Sequence, residues 1–220
     1  EFLFMMLAAS TPIPAKIWKI SGSLGSRLFF LSIGSKDSSE EDLLLQLKSN
    51  DYKLKEKELR KMTESLVNIL FGQNEEKILW DKTKEEDKIL LVVTRCSQLL
   101  ACMRGSLNQW KDENGEEFTD PIIEKPNRIN MQLYNFCKGH AFTCDRNYIN
   151  EEDVPLMLKV TFDSAPKRVV EVLEIILASK KDYLTTKEIS DDLNVSIPTA
   201  LKRMKTLSIL GICDVTEELD

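Results

Sequence analysis

Cys137, His140 and Cys144 stand at spacings of three and four, which puts them on one face of a helix. Zinc accepts such ligands, but a structural site takes four and draws them from separate elements. The chain has no CxxC pair and His140 is its sole histidine, so neither a zinc ribbon nor a Ser/His/Asp set can be assembled. The trio therefore reads as part of a packing face. Arg27 follows a Gly-containing turn at the mouth of an apolar run. Its guanidinium suits either a phosphate, such as one on a neighbouring subunit, or a carboxylate in a salt bridge at a strand start. Arg128 falls in the first turn of a helix, where the dipole disfavours a cation, so either an anionic partner or plain exposure explains it. Glu151, Glu152 and Asp153 read as helix-start charges. No G-x-x-x-x-G-K-[ST] loop is present, so the chain by itself is not expected to hold or hydrolyse a nucleotide.

The stretch from Tyr183 to Val215 carries the clearest signal. Thr185 and Glu188 form a capping box, and Ile189 and Leu193 lie one turn apart on a buried face. Asn194 ends that helix, Val195 plugs the turn, Ser196 caps a second helix, and Pro198 sits in its first turn. Leu201, Met204, Leu207 and Leu210 make an apolar stripe, while Thr199, Lys202, Arg203, Lys205 and Thr206 fall largely off it and face out. Gly211 stops the helix, and Ile212 to Val215 can start the strand of a wing. From Ser196 to Cys213 there are three basic residues and no acidic one, in a chain of net charge −6. That local asymmetry points to DNA contact through a recognition helix, confined to a patch. A helical pair that packs on protein is the alternative.

These elements must be carried by 220 residues, enough for one large or two modest domains. With 42% hydrophobic residues but only eight glycines and seven prolines, the chain is expected to be mainly α. Five cysteines without regular spacing predict reduced thiols and an intracellular, cytoplasmic setting. Phe2 to Ala9 is too short to span a membrane, and no membrane association is expected. The same run reads as a strand buried on both faces, which implies sheet partners upstream and a piece of a longer protein. Ala15 to Ser21 reads as a short helix and Leu28 to Ile33 as a second buried strand. Helices are expected from about Asp37 to Leu47, Lys53 to Phe71, Lys84 to Trp110, Asn127 to Cys144, from Glu151 onward, and Pro166 to Ser179. Lys111 to Lys125 reads as a loop turning at Asn114-Gly115.

Several of these segments resemble one family. FLFMMLAASTPIP is similar to the strand and polar tip that follow the Walker B acid of AAA+ ATPases. The resemblance makes Ser10 or Thr11 the sensor 1 residue, which contacts the attacking water or γ-phosphate. GSLGSRLFFLSI resembles the arginine-finger turn and final core strand, with Arg27 as the finger. NRINMQLYNFCKGHAFTCDRNYINEEDV resembles the AAA+ lid, with Arg128 as sensor 2 and Arg95 and Arg104 as competitors for that role. The winged-helix tail is similar to those of MCM-type helicases and origin-binding ATPases. The stretch from Asp51 to Lys125 is longer than the usual lid helices.

The resemblance implies three parts: the end of an α/β AAA+ core at 1–36, an enlarged helical lid at 37–163 and a winged helix at 164–220. ATP and Mg would act in the longer parent protein, which would assemble as a ring, and none would bind this portion alone. The rival expectation is a winged-helix transcriptional regulator with a helical dimerisation domain and no ATP chemistry.

Overall fold

A computed structural model describes residue 9 and residues 28–34, 39–49, 51–72, 79–107, 109–112, 115–118 and 120–216. The expected strand of residues 2–9 (its last residue apart), the helix of residues 15–21, and Ser10, Thr11 and Arg27 lie outside them.

The protein is mainly helical. Helix α1 (Glu40–Lys48) starts from a capping box, in which the Asp42 N–H donates to Ser39 Oγ at 3.1 Å and the Ser39 N–H to Asp42 Oδ2 at 3.1 Å. Helix α2 (Tyr52–Phe71) buries none of its residues. Its apolar stripe of Leu59, Met62, Leu66 and Ile69 is exposed, and the Phe71 ring meets Phe142 with centroids 5.7 Å apart.

Helix α3 (Asp87–Met103) is amphipathic and buries Ile89, Val93, Cys96, Leu100 and Met103. It ends seven residues before the expected Trp110. Gly105, just past its end, is tightly packed: a Cβ there would lie 2.5 Å from Leu210 Cδ2 and 2.9 Å from the Cys102 carbonyl oxygen. Beyond it Ser106 bridges Ile122, with reciprocal N–H···O bonds of 3.1 Å. The expected loop is instead largely a hairpin of β1 (Gln109–Asp112) and antiparallel β2 (Gly115–Phe118), with Asp112 opposite Gly115.

Helix α4 (Asn127–Thr143) turns Ile129, Leu133, Cys137 and Ala141 inward, four residues apart each time. A 3-10 turn (Glu151–Asp153), capped by Asn150, leads into α5 (Val154–Asp163), which buries Met157 and Val160. Helices α6 (Lys167–Ala178), α7 (Thr186–Leu193) and α8 (Ile197–Ile209) complete the chain. One core runs without a break from Ile89 on α3 to Leu210 after α8, so the proposed lid and C-terminal unit share buried side chains.

Residues 28–33 do not form the expected strand. Leu28, Leu31 and Ile33 are exposed and no ladder partner lies beside them among the described residues. Their backbone is satisfied by side chains of the α5–α6 joint: the Phe30 N–H donates to Ser164 Oγ at 2.8 Å and the Ser32 N–H to Asp163 Oδ2 at 2.7 Å. Arg104 closes this clasp. Its Nε donates to the Ser164 carbonyl at 2.8 Å, a terminal nitrogen donates to the Leu28 carbonyl at 2.7 Å, and the guanidinium lies 5.4 Å from the Phe29 ring centroid. Burial pulls this guanidinium down to about 10, opposed by the Glu124 carboxylate.

Candidate nucleic-acid interface

Helices α6, α7 and α8 pack on one another, and their local geometry is written in their caps. The Glu188 N–H donates to Thr185 Oγ1 at 3.3 Å and the Thr185 N–H donates to Glu188 Oε2 at 2.8 Å, which closes the capping box at the start of α7. Lys181 also pairs with Glu188, and together with the Thr185 bonds it holds that carboxyl down to about 2. Asn194 ends α7 in the left-handed region, with φ 51°. Val195 then packs on the core, and Ser190 Oγ donates to its carbonyl at 2.7 Å. This fixes the angle at which the chain enters α8.

Helix α8 buries Ala200 and Leu207, with Leu210 buried just beyond its end; Leu201 and Met204 are half-buried. Gly211, at φ +70°, lets the Ile212 N–H reach the Leu207 carbonyl at 2.9 Å and its own N–H reach that of Ser208 at 2.9 Å, a Schellman stop. Two local expectations are corrected here. Ser196 occupies the cap position, but its hydroxyl bonds Thr199 Oγ1 at 2.8 Å and no backbone N–H of the first turn. No strand forms from Ile212 to Thr216, because Ile212 and Cys213 fold back onto the core; no wing is present among the described residues.

Thr199, Lys202 and Lys205 are exposed on α8, and Thr206 is half-exposed with its hydroxyl donating to the Lys202 carbonyl at 2.9 Å. Arg203 does not face out as its spacing suggested. Its NH1 donates to Glu171 Oε2 at 2.8 Å on α6, and its side chain is only 20% exposed. It lines a cleft with Glu171, Glu174 and Asp192. No local pattern signals this, since Glu171 and Arg203 are 32 residues apart and meet only because α6 packs on α8.

The residues expected to serve a nucleotide are placed unevenly. Arg128 is exposed in the first turn of α4 and Arg95 is exposed on α3, and neither makes an ion pair among the described residues. Arg104 is committed to the clasp on Leu28 and Ser164. The Cys/His trio divides: Cys137 is buried, His140 is half-buried and Cys144 is exposed. Among the described residues no group of three or more His, Cys, Asp or Glu is placed to hold a metal ion, and no helix is long and apolar enough to cross a membrane.

Asp153, read as a helix-start charge, proves to be a buried hub. It accepts from Arg146 through both guanidinium termini (2.9 and 2.8 Å), from the Asn150 N–H at 2.9 Å and from His140 Nδ1 at 2.6 Å. Only the Asn150-x-x-Asp153 spacing could have announced one of these bonds.

The chain matches no protein-family model, no curated protein and no solved structure.

Proposed function

We propose that this chain is the DNA-contacting C-terminal portion of an AAA+ ATPase related to MCM-type helicases. The observation that carries the DNA reading is the capped helix-turn-helix geometry. It presents α8, which holds Lys202, Arg203 and Lys205 and no acid, on an otherwise acidic chain. Lys202 and Lys205 contact phosphates, and Thr199 and Thr206 lie along the same face of α8. Without a wing among the described residues, and with Arg203 held by Glu171, contact rests on few groups, which favours modest, weakly sequence-specific binding.

Titration of a fluorescent duplex by anisotropy at several salt concentrations tests this. Each lost phosphate contact flattens the salt dependence by about 0.9 in log–log slope, so Lys202→Gln with Lys205→Gln should flatten it by roughly 1.8 and weaken binding on all sequences alike. Absence of any binding at low salt sinks the DNA reading.

The ATPase context rests on the resemblance of the segments around Ser10, Thr11, Arg27 and Arg128, with ATP and Mg bound by the parent protein and Arg27 reaching a neighbouring subunit's site in a ring. Arg27→Ala in the full-length protein should abolish ATP turnover; unchanged turnover overturns it. One observation favours the rival, a winged-helix regulator that dimerises through its long helices: the exposed stripe of Leu59, Met62, Leu66 and Ile69 on α2. The sequence immediately before Glu1 separates the two, since a phosphate-binding loop there removes the regulator.

A further inference from the structure

At the C-terminal end of α4 three chemistry-bearing side chains meet that the DNA reading leaves unused. The Asp153 carboxylate accepts from His140 Nδ1 at 2.6 Å. That bond keeps the proton on Nδ1, so Nε2 is the acceptor of the neutral ring. Nε2 faces Cys144 Sγ at 3.9 Å. Asp153 is itself anchored by Arg146 and the Asn150 N–H, so the imidazole is held in one orientation and one tautomer. Thiol, base and orienting carboxylate stand in sequence, the arrangement that activates a nucleophile, with the thiol–base distance loose as in an unliganded site.

Access distinguishes Cys144 from the other four thiols. It alone is exposed; Cys96 and Cys137 are buried and Cys102 and Cys213 half-buried. Burial pushes the thiols of Cys96, Cys102 and Cys213 up, and that of Cys137, with Asp153 and Cys96 nearby, to about 12. Burial thus disfavours the thiolate at each of those four.

We propose that Cys144 is a base-activated, modifiable thiol that exchanges with low-molecular-weight disulfides, with His140 as its base and Asp153 as the positioning residue. The Cys144 S–H proton passes to His140 Nε2 as Sγ attacks one sulfur of the small disulfide. The disulfide S–S bond breaks and a mixed disulfide forms on Cys144. The departing thiolate takes the proton back from Nε2, so one sulfur of the reagent is reduced while Cys144 is oxidised.

The other charged groups at this end of the helix are Arg146, Asp145 and the carbonyl end of α4. Glu152 lies 3.4 Å from Arg146 Nε and damps that cation further. Cys137 stays protonated behind Asp153.

The full chain is treated at pH 7 with oxidised glutathione and read by intact mass and peptide mapping, then alkylated with iodoacetamide across pH 5.5–9.5. The expected result is a single reducible adduct on Cys144, absent from Cys144→Ser, and an alkylation rate that is already high at neutral pH instead of rising only through the ordinary thiol range. In His140→Gln that rate should fall by about tenfold or more, the lower end for a lost general base. Adducts spread over several cysteines overturn the proposal. So does a rate that climbs through about pH 8.5 like that of an ordinary thiol, alike in wild type and variant. If circular dichroism shows that His140→Gln does not fold, the wild-type pH profile decides alone.

Discussion

Replacing Asp153 by Asn should cost this protein about 3 kcal/mol at pH 7. The carboxylate side chain is 1% exposed and its partner Arg146 is 13% exposed, so the pair is held out of water. Breaking such a pair from one side typically costs about 3–5 kcal/mol, because it strands a buried charge. The lower end applies here: Asn keeps the shape and one acceptor oxygen, and Glu152, at 3.4 Å, partly compensates Arg146. For a chain of this size each kcal/mol moves the melting temperature by roughly 2–4 °C, so the drop should be about 6–12 °C. Urea unfolding followed by far-UV circular dichroism measures the first figure and a thermal scan the second.

The effect carries a pH signature. Burial alone would raise the Asp153 carboxyl, but the bonds from Arg146, Asn150 and His140 outweigh it and hold it below the usual carboxylate range. A depressed folded value means the stabilisation is fully present above the unfolded value of about 4. It is lost as pH falls through the folded one. The gap between wild type and variant should therefore hold from pH 7 to about pH 4 and close below that. A cost under about 1 kcal/mol at pH 7 refutes the picture of a buried, charge-bearing hub, since that is the size expected of a solvated pair.

Two further outcomes test the packing on which the interface depends. Gly105→Ala should destabilise by about 1–3 kcal/mol, because its Cβ would press on Leu210 at 2.5 Å and on the Cys102 carbonyl at 2.9 Å; an unchanged melting temperature would show that Leu210 yields without strain. Glu171→Gln should release Arg203 towards DNA and steepen the salt dependence of duplex binding by about 0.9 in log–log slope. An unaltered slope, in a protein that does bind, places Arg203 off the contact surface.

Local elements were legible in the residues themselves. The Thr185–Glu188 box, the Asn194 stop and the Gly211 stop act within a few residues, so their spacing announced the helices Thr186–Leu193 and Ile197–Ile209 almost to the residue. The helix expected from Asn127 to Cys144 likewise matches α4. Long-range pairings were not legible. The apolar run of residues 28–33 has the composition of a strand, yet its N–H groups are met by Asp163 and Ser164, about 130 residues away. The helix expected to reach Trp110 stops at Met103, and Ser106 bridges Ile122 instead, a pairing across 16 residues that local spacing does not announce.

The candidate sites divide along the same line. The sequence by itself determined a mainly helical protein with two capped helices at 186–193 and 197–209, the second of which carries basic residues and no acid, because caps, periodicity and local charge are properties of neighbours in the chain. Only the tertiary structure decided which of those charges face out. It turned Arg203 onto Glu171, committed Arg104 to two backbone carbonyls, and made Asp153 the buried anchor of Arg146 and His140. Each of these partners is chosen by the way helices pack, and a buried charge takes whichever counter-group the packing brings within reach.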